Sequence, residues 1–366
     1  MIVRQNDGRY LLWGLLLGSL VCGCGASGSS TRAIGGQVGA GGNPATGGAP
    51  DATGGIAGND GGSSATGGAG ANTGGNSPTG GSKATGGSSA STGGRATGGT
   101  PTTGGTPPVT CNSNVTSTGC TPGSMTQTGT LASRYGNLTA TIGSKQYYFQ
   151  VNEWNTSATQ VMSYGGSYFF KMTQQTASAP SNGSPTGFPS IFIGANSGHS
   201  TSGSGMPKQV SSLGTVLTTW NWNDNGTSAD TTNNIFNATY DVWFSTNSGG
   251  DPSQGFPSGG FLMVWYYAQG CTPMGGIQDA GHTIDGIAGC WDVWLGTNNG
   301  KPVISYKRQG MVKSMGFDLN LFIKDALKNY PTYMNSNWYL TNIFTGFEIW
   351  KGGVNLESTS FCAEVN

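Results

Sequence analysis

Charge is scarce in this sequence. Sixteen basic and sixteen acidic residues are spread over 366 positions, with no Lys/Arg cluster. A nucleic-acid partner needs a concentrated basic face, so the composition argues against one. Histidine is scarcer still: His199 and His282 are the only two. With no Cys-x-x-Cys pair either, the spacing of a zinc site is missing. His282 has Asp279 and Asp285 close by, and the reading of that group is a solvated loop histidine rather than a metal site. Neither histidine sits in the strand–Ser–helix context of a nucleophile elbow. No cofactor motif is present. Long apolar runs are absent too. The longest, Tyr10–Val21, has twelve residues, against about 20 for a membrane-spanning helix.

That short run follows Arg4 and Arg9 and precedes Val21-Cys22-Gly23-Cys24. A positive start, an apolar middle and a small-residue site describe a signal peptide over residues 1–23. The Cys24 context resembles a bacterial lipobox, which implies export and lipid attachment at Cys24. The chain is then anchored to a membrane without spanning it.

From residue 24 to about 110 the sequence is Gly, Thr, Ser, Ala and Pro, and Thr-Gly-Gly recurs nine times between Thr46 and Thr103. A repeat of this kind has nothing to bury and cannot offset the entropy of ordering. It reads as a tether with a reach of roughly 50 Å, from 5–6 Å times the square root of length. Phosphate binding by these glycines is a poor fit, since no strand precedes them and no helix follows.

Residues 111–366 carry every tryptophan except Trp13. Aromatic abundance with little charge suits a surface that stacks rings on sugar C–H faces. Strand signals dominate: Gln146–Val151, Ser167–Met172, Ser190–Ile193, Asn237–Phe244, Gly260–Tyr267, Cys290–Leu295, Pro302–Lys307 and Trp338–Trp350 are rich in aromatic and β-branched residues, with Gly, Asn, Ser and Pro between them. One helix is expected at Asn320–Tyr330, with Leu321, Ile323, Ala326 and Leu327 near helical spacing and Asp318 or Asn320 as N-cap. Many strands and one helix predict an all-β jelly-roll sandwich of two antiparallel sheets. Five cysteines follow Cys24. Cys111–Cys120 and Cys271–Cys290 are the pairs of shortest separation, which leaves Cys362 over, and the spacing leaves connectivity open.

Several blocks carry a family resemblance. They are Val151-Asn152-Glu153-Trp154-Asn155 followed by Ala158-Thr159-Gln160; Gly187-Phe188-Pro189-Ser190-Ile191-Phe192-Ile193-Gly194; Ala238-Thr239-Tyr240-Asp241-Val242-Trp243; Leu262-Met263-Val264-Trp265 with Thr272-Pro273-Met274-Gly275; and Trp338-Tyr339-Leu340 with Gly346-Phe347-Glu348-Ile349-Trp350 and Gly352. In order and spacing this set resembles the family 12 glycoside hydrolases over residues 135–362. The resemblance implies a jelly-roll endoglucanase that cleaves β-1,4-glucan or xyloglucan with retention. It also implies Glu348 as acid/base, Asp241 as the partner of the nucleophile, and Asn152, Trp154, Met263, Trp265, Pro273 and Trp350 along the substrate.

The chain departs from the family where the nucleophile belongs. That position holds Phe261, and no Asp or Glu occurs between Asp251 and Asp279. Period 2 puts Phe261, Met263 and Trp265 on one strand face, and Asp241 with Trp243 on another. Retaining hydrolysis needs two carboxyl groups about 5–5.5 Å apart, and a phenyl ring has no lone pair for attack at C1. Three readings follow, in this order. The first is a monomeric, lipid-anchored β-glucan-binding protein with impaired or lost hydrolysis. The second is an active glycosidase using Glu348 with an altered second carboxylate such as Asp241. The third is a structural or adhesive surface domain.

Overall fold

The computed structural model describes residues 110–113, 118–154, 159–181 and 183–366. Cys24, the signal peptide, the tether, Asn155 and Ala158 lie outside the described residues. The rest is an all-β sandwich of two sheets with one α-helix among the described residues.

The smaller sheet has six strands in the order Gly129–Leu131, Gln160–Gly165, Tyr168–Gln175, Glu357–Val365, Val216–Asn223 and Ser314–Asp318. The larger sheet follows the order Gly276–His282, Trp291–Asn298, Lys301–Arg308, Gly260–Gln269, Ile235–Ser245, Tyr339–Gly346, Ser190–Asn196, Lys145–Gln150 and Asn137–Ile142. Its neighbours along this path are antiparallel, apart from the parallel pairing of Gly260–Gln269 with Lys301–Arg308.

Alternation decides which side chains meet between the sheets. On Val216–Asn223 every second residue is buried, which turns Trp220 and Trp222 inward. On the facing sheet Phe236, Ala238, Tyr240, Val242 and Phe244 point the same way, joined by Leu262, Val264 and Tyr266. Trp220 lies 5.8 Å from Tyr240 and 5.4 Å from Tyr266, centroid to centroid.

Strands Ile235–Ser245 and Gly260–Gln269 are also buried on their second face. There Phe261, Met263, Trp265, Cys271, Met274, Val303 and Trp350 form a separate apolar cluster. Burial on both faces explains why Gly260–Gln269 reads as a near-continuous apolar run rather than as an alternation.

The helix spans Asn320–Asn329 and begins after Leu319, which has no side-chain cap. Neither Asp318 nor Asn320 is the N-cap. Asp318 Oδ1 accepts the amides of Val216 at 2.7 Å and Asn320 at 3.0 Å, tying the helix entry to a sheet edge. Phe322, not Leu321, leads the buried face, with its ring 5.0 Å from both Trp291 and Tyr306.

The disulfides differ from the shortest-separation pairs. Cys111 bonds Cys290, and Cys120 bonds Cys362. Two described residues before the first strand, Asn112 and Cys120, are held against the sandwich. Asn112 pairs with Gly289 and donates to the carbonyls of Ile284 and Ile287 at 3.1 Å, which brings Cys111 to Cys290. Thr219 Oγ1 donates to Cys120 O at 2.6 Å on the strand that pairs with Glu357–Val365, which brings Cys120 to Cys362. Cys271 is buried in the second cluster, outside both bridges.

His282 is not a solvated loop residue. It closes strand Gly276–His282, and its Nδ1 lies 3.0 Å from Asp279 Oδ2. Its Nε2 lies 2.9 Å from Oδ1 of Asp325, a helix residue, and Asp325 also accepts the Tyr306 hydroxyl at 2.8 Å. The Asp325 hydrogen bond, with the Asp325 and Asp279 charges, raises the imidazole pKa above 6.5 against the opposing effect of burial. Because the folded-state pKa is the higher one, this group adds stability below about pH 6.5 that is lost as pH rises through the folded value. Thermal midpoints of the wild type are therefore expected to fall more steeply above that pH than those of His282→Gln. Parallel curves for the two proteins would remove His282 from the pH response.

Candidate active site

The Ile235–Ser245 strand carries the site. Its second face presents Asn237, Thr239, Asp241 and Trp243, because the inward face is taken by the core residues. Trp243 Nε1 donates to Asp241 Oδ2 at 2.8 Å, so the two share a face, as period 2 predicts. Asp241 Oδ1 is buried without a partner. Burial raises the Asp241 pKa to about 7, and the Trp243 bond offsets only part of that shift.

The expected strand Trp338–Trp350 is broken in two, Tyr339–Gly346 and Ile349–Lys351. Phe347 and Glu348 fall in the gap, where the Asn237 side chain stands in for ladder bonds. Glu348 N donates to Asn237 Oδ1 at 3.0 Å, and Asn237 N donates to Glu348 O at 3.0 Å. Asn237 Nδ2 also donates to Glu348 Oε2. Phe347 turns into the main core, and Glu348 itself is 0% exposed.

Asn152, Trp154 and Asp241 line one pocket of about 90 Å³, together with Gln150, Phe188, Asn196, Trp243, Phe256 and Phe344. Asn152 has φ 47, a left-handed backbone that asparagine tolerates. Its carbonyl accepts the Phe188 amide at 2.9 Å, and Trp154 N donates to Thr186 O at 3.0 Å. Those bonds fix the two sequence blocks to each other. A second pocket, about 270 Å³, is lined by Tyr135, Asn137, Tyr148 and His199 and shares Gln150, Asn152 and Ser197 with the first.

The other residues predicted for the site adjoin the first pocket, with Met263 opposite Asp241 in the strand register, but do not line it. Met263, Trp265 and Trp350 are buried in the second apolar cluster and line neither pocket, and Pro273 is buried beside that cluster. Phe261, 1% exposed, belongs to the same cluster, with Phe256 4.9 Å away and Trp243 5.6 Å away, edge to face. Trp350 Nε1 donates to Gly183 O at 2.7 Å, and Ala179 N donates to Trp350 O at 2.7 Å, so Ala179 and Gly183 lie against that residue. Sequence reasoning missed Phe256 and Asn196. Phe256 sits in a Gly/Pro/Ser loop with no periodicity, and Asn196 ends a strand whose run looks apolar.

No group of three or more His, Cys, Asp or Glu side chains among the described residues could hold a metal ion. In chemical terms the arrangement offers stacking and hydrogen-bonding surface in two joined pockets, one carboxyl with a high pKa, and one carboxyl shut away from solvent.

Comparisons with known proteins agree on one family. The model described as glycosyl hydrolase family 12 matches residues 145–366. The chain is similar to a probable cellulase, Cel12b, of Mycobacterium tuberculosis, at 26% identity over 164 residues, which is 45% of this chain and 99% of that one. It is similar to a probable xyloglucan-specific endo-beta-1,4-glucanase A of Neosartorya fischeri, at 30% identity over 151 residues, covering 40% of this chain and 56% of that protein. The chain thus spans nearly all of the mycobacterial relative and little more than half of the fungal one. Among solved structures, endoglucanase cel12A from Rhodothermus marinus superposes with a TM-score of 0.57 at 29% identity, over 65% of this chain and 99% of that one.

Proposed function

Since the chain belongs to glycosyl hydrolase family 12, we propose that residues 111–366 recognise a β-1,4-glucan of the cellulose or xyloglucan type as a monomer, with retaining hydrolysis lost. The observation that carries this reading is Phe261, 1% exposed and packed among Met263, Trp265, Met274, Val303 and Trp350. Double displacement needs a carboxylate that bonds to C1 while the acid/base protonates the departing oxygen. A phenyl ring cannot form that bond, and the chain has no carboxylate within nine residues of Phe261 on either side. Loss of a nucleophile lowers rate by several orders of magnitude.

Recognition rests on what survives. Trp154 and Asn152 stay in an open pocket, and the neighbouring pocket adds Tyr135 and Tyr148. Aromatic side chains carry a large share of binding energy where they anchor a ligand. Export and lipidation at Cys24 put the domain at a membrane surface, on a tether that lets it sample polymer.

Trp154→Ala is expected to weaken retention on soluble glucan in affinity electrophoresis by more than about 1 kcal/mol, roughly fivefold, the scale of an anchoring aromatic. Retention equal to the wild type would take Trp154 out of the site.

Asp241 favours a second reading. A carboxyl with a pKa of about 7 and one unpartnered oxygen, lining a pocket, has the character of a general acid or base. In that case the domain is a glycosidase of altered mechanism, with Glu348 as the acid and Asp241 as the second carboxyl, and its product is of inverted configuration.

A further inference from the structure

We infer that the two joined pockets hold the end of a glucan chain rather than an internal stretch, an inference that rests on the glucan-recognition reading above. An internal stretch needs a groove open at both ends, because the polymer continues past the site in both directions. Here one direction is open and the other is closed.

The open direction runs from the Trp154–Asp241 pocket into the larger one beside Tyr135, Tyr148 and His199, through the shared Gln150, Asn152 and Ser197. Tyr135 and His199 are exposed at its outer margin. In volume the two pockets reach the lower end of the ~300–1,000 Å³ usual for small-ligand sites.

The closed direction is the surface where a polymer would continue past Asp241 and Trp243. Phe256 lines the inner pocket and also packs on Phe261, so it forms a wall between the pocket and the buried cluster. Behind it Phe261, Met263, Trp265, Trp350 and Glu348 are all within 2% of complete burial. The wall is tied down. Ser197 N donates to Gln254 O at 2.9 Å and Gly198 N to Pro252 O at 2.8 Å, which fastens the Phe256 loop to the hairpin opposite. Asp251 accepts Ser258 N at 3.0 Å, Ser258 Oγ at 2.7 Å and Asn247 Nδ2 at 3.0 Å, closing the loop on itself.

The chemistry at the closed end suits a hydroxyl-bearing sugar ring. Three side chains lining the inner pocket hold a buried polar atom without a partner: Trp154 Nε1, Asn196 Nδ2 and Asp241 Oδ1. Buried polar atoms are nearly always paired, and these three belong to side chains around a pocket that a polar ligand can enter. A glucosyl ring carries hydroxyls that both donate and accept, so one can serve a carboxyl oxygen and an N–H donor at once, and it is the closed wall that selects a chain end.

The test is stoichiometry. The purified protein is titrated calorimetrically with size fractions of soluble mixed-linkage β-glucan of increasing chain length. End recognition predicts that the number of protein molecules bound per glucan chain at saturation stays constant as chains lengthen. It also predicts that short oligosaccharides displace the polymer with equal potency per chain end. Stoichiometry that rises in proportion to length would overturn end recognition while leaving glucan recognition intact. Absence of binding to every fraction would overturn both.

Discussion

Replacing Phe261 with glutamate is expected to destabilise the domain rather than restore a catalyst, with a loss of roughly 3–5 kcal/mol, the range for an uncompensated charge in a core. At 2–4 °C per kcal/mol for a domain of this size, the thermal midpoint falls by on the order of 10 °C. The reason lies in the neighbours. Phe261 touches Trp243 and Phe256 and shares its cluster with Met263, Trp265, Met274, Val303 and Trp350, and the Trp243 indole N–H is already given to Asp241. A carboxylate placed there is desolvated among apolar side chains, and its folded-state pKa rises above the unfolded value of about 4.3. A raised carboxyl pKa means stability that is lost as pH rises through it. The penalty relative to wild type should therefore be larger at pH 8 than at pH 4. Equal midpoints for variant and wild type at both pH values would mean that the cluster opens to water, and the description of a sealed face would be wrong.

Removal of the Cys120–Cys362 bridge is expected to cost about 2–5 kcal/mol, the usual effect of losing a native disulfide. The bridge joins residues 242 apart, and in the chain-entropy account long loops gain most from closure. Thermal unfolding of a Cys120→Ser, Cys362→Ser double variant should show a midpoint lower by on the order of 10 °C. Cys111–Cys290, with a separation of 179, belongs to the same range. Peptide mapping without reductant checks the connectivity directly. Linked peptides containing Cys111 and Cys290, and Cys120 and Cys362, are expected, and a Cys111–Cys120 peptide would contradict the fold of the N-terminal segment.

These two predictions also show which parts of the structure the sequence made legible. The sandwich was readable because aromatic and β-branched runs are punctuated by turn residues, and most of the strands named from sequence are present within a few residues. Strands Val216–Asn223 and Glu357–Val365 were missed, since Thr, Asn and Ser dilute their apolar positions. The single helix was legible from its spacing, but its entry was not. Asp318 serves two amides from different elements, a role that local capping rules do not contain. The disulfides were illegible for a related reason. Short separation in sequence is a guide only when the intervening chain forms a local loop, and here Asn112 and Cys120 are each held against the sandwich instead.

The site was legible in part. Asn152, Trp154 and Asp241 do line one pocket, and Phe261 does share a cluster with Met263 and Trp265. That the second group is closed off could not be read from the strands, because the cover comes from two loops. Phe256 and Ala179 have no periodic neighbours that mark them as lining anything. His282 was misjudged in the same way. Its partner Asp325 comes from the helix, 43 residues away in sequence.

The most direct test of the central claim is incubation of the protein with xyloglucan and with mixed-linkage glucan, following reducing ends and product anomer by NMR, with Glu348→Ala as control. The account predicts no product above the control, while affinity electrophoresis with the same glucans shows retention. Product of retained configuration above the control would contradict it, since that outcome requires a nucleophile where Phe261 stands.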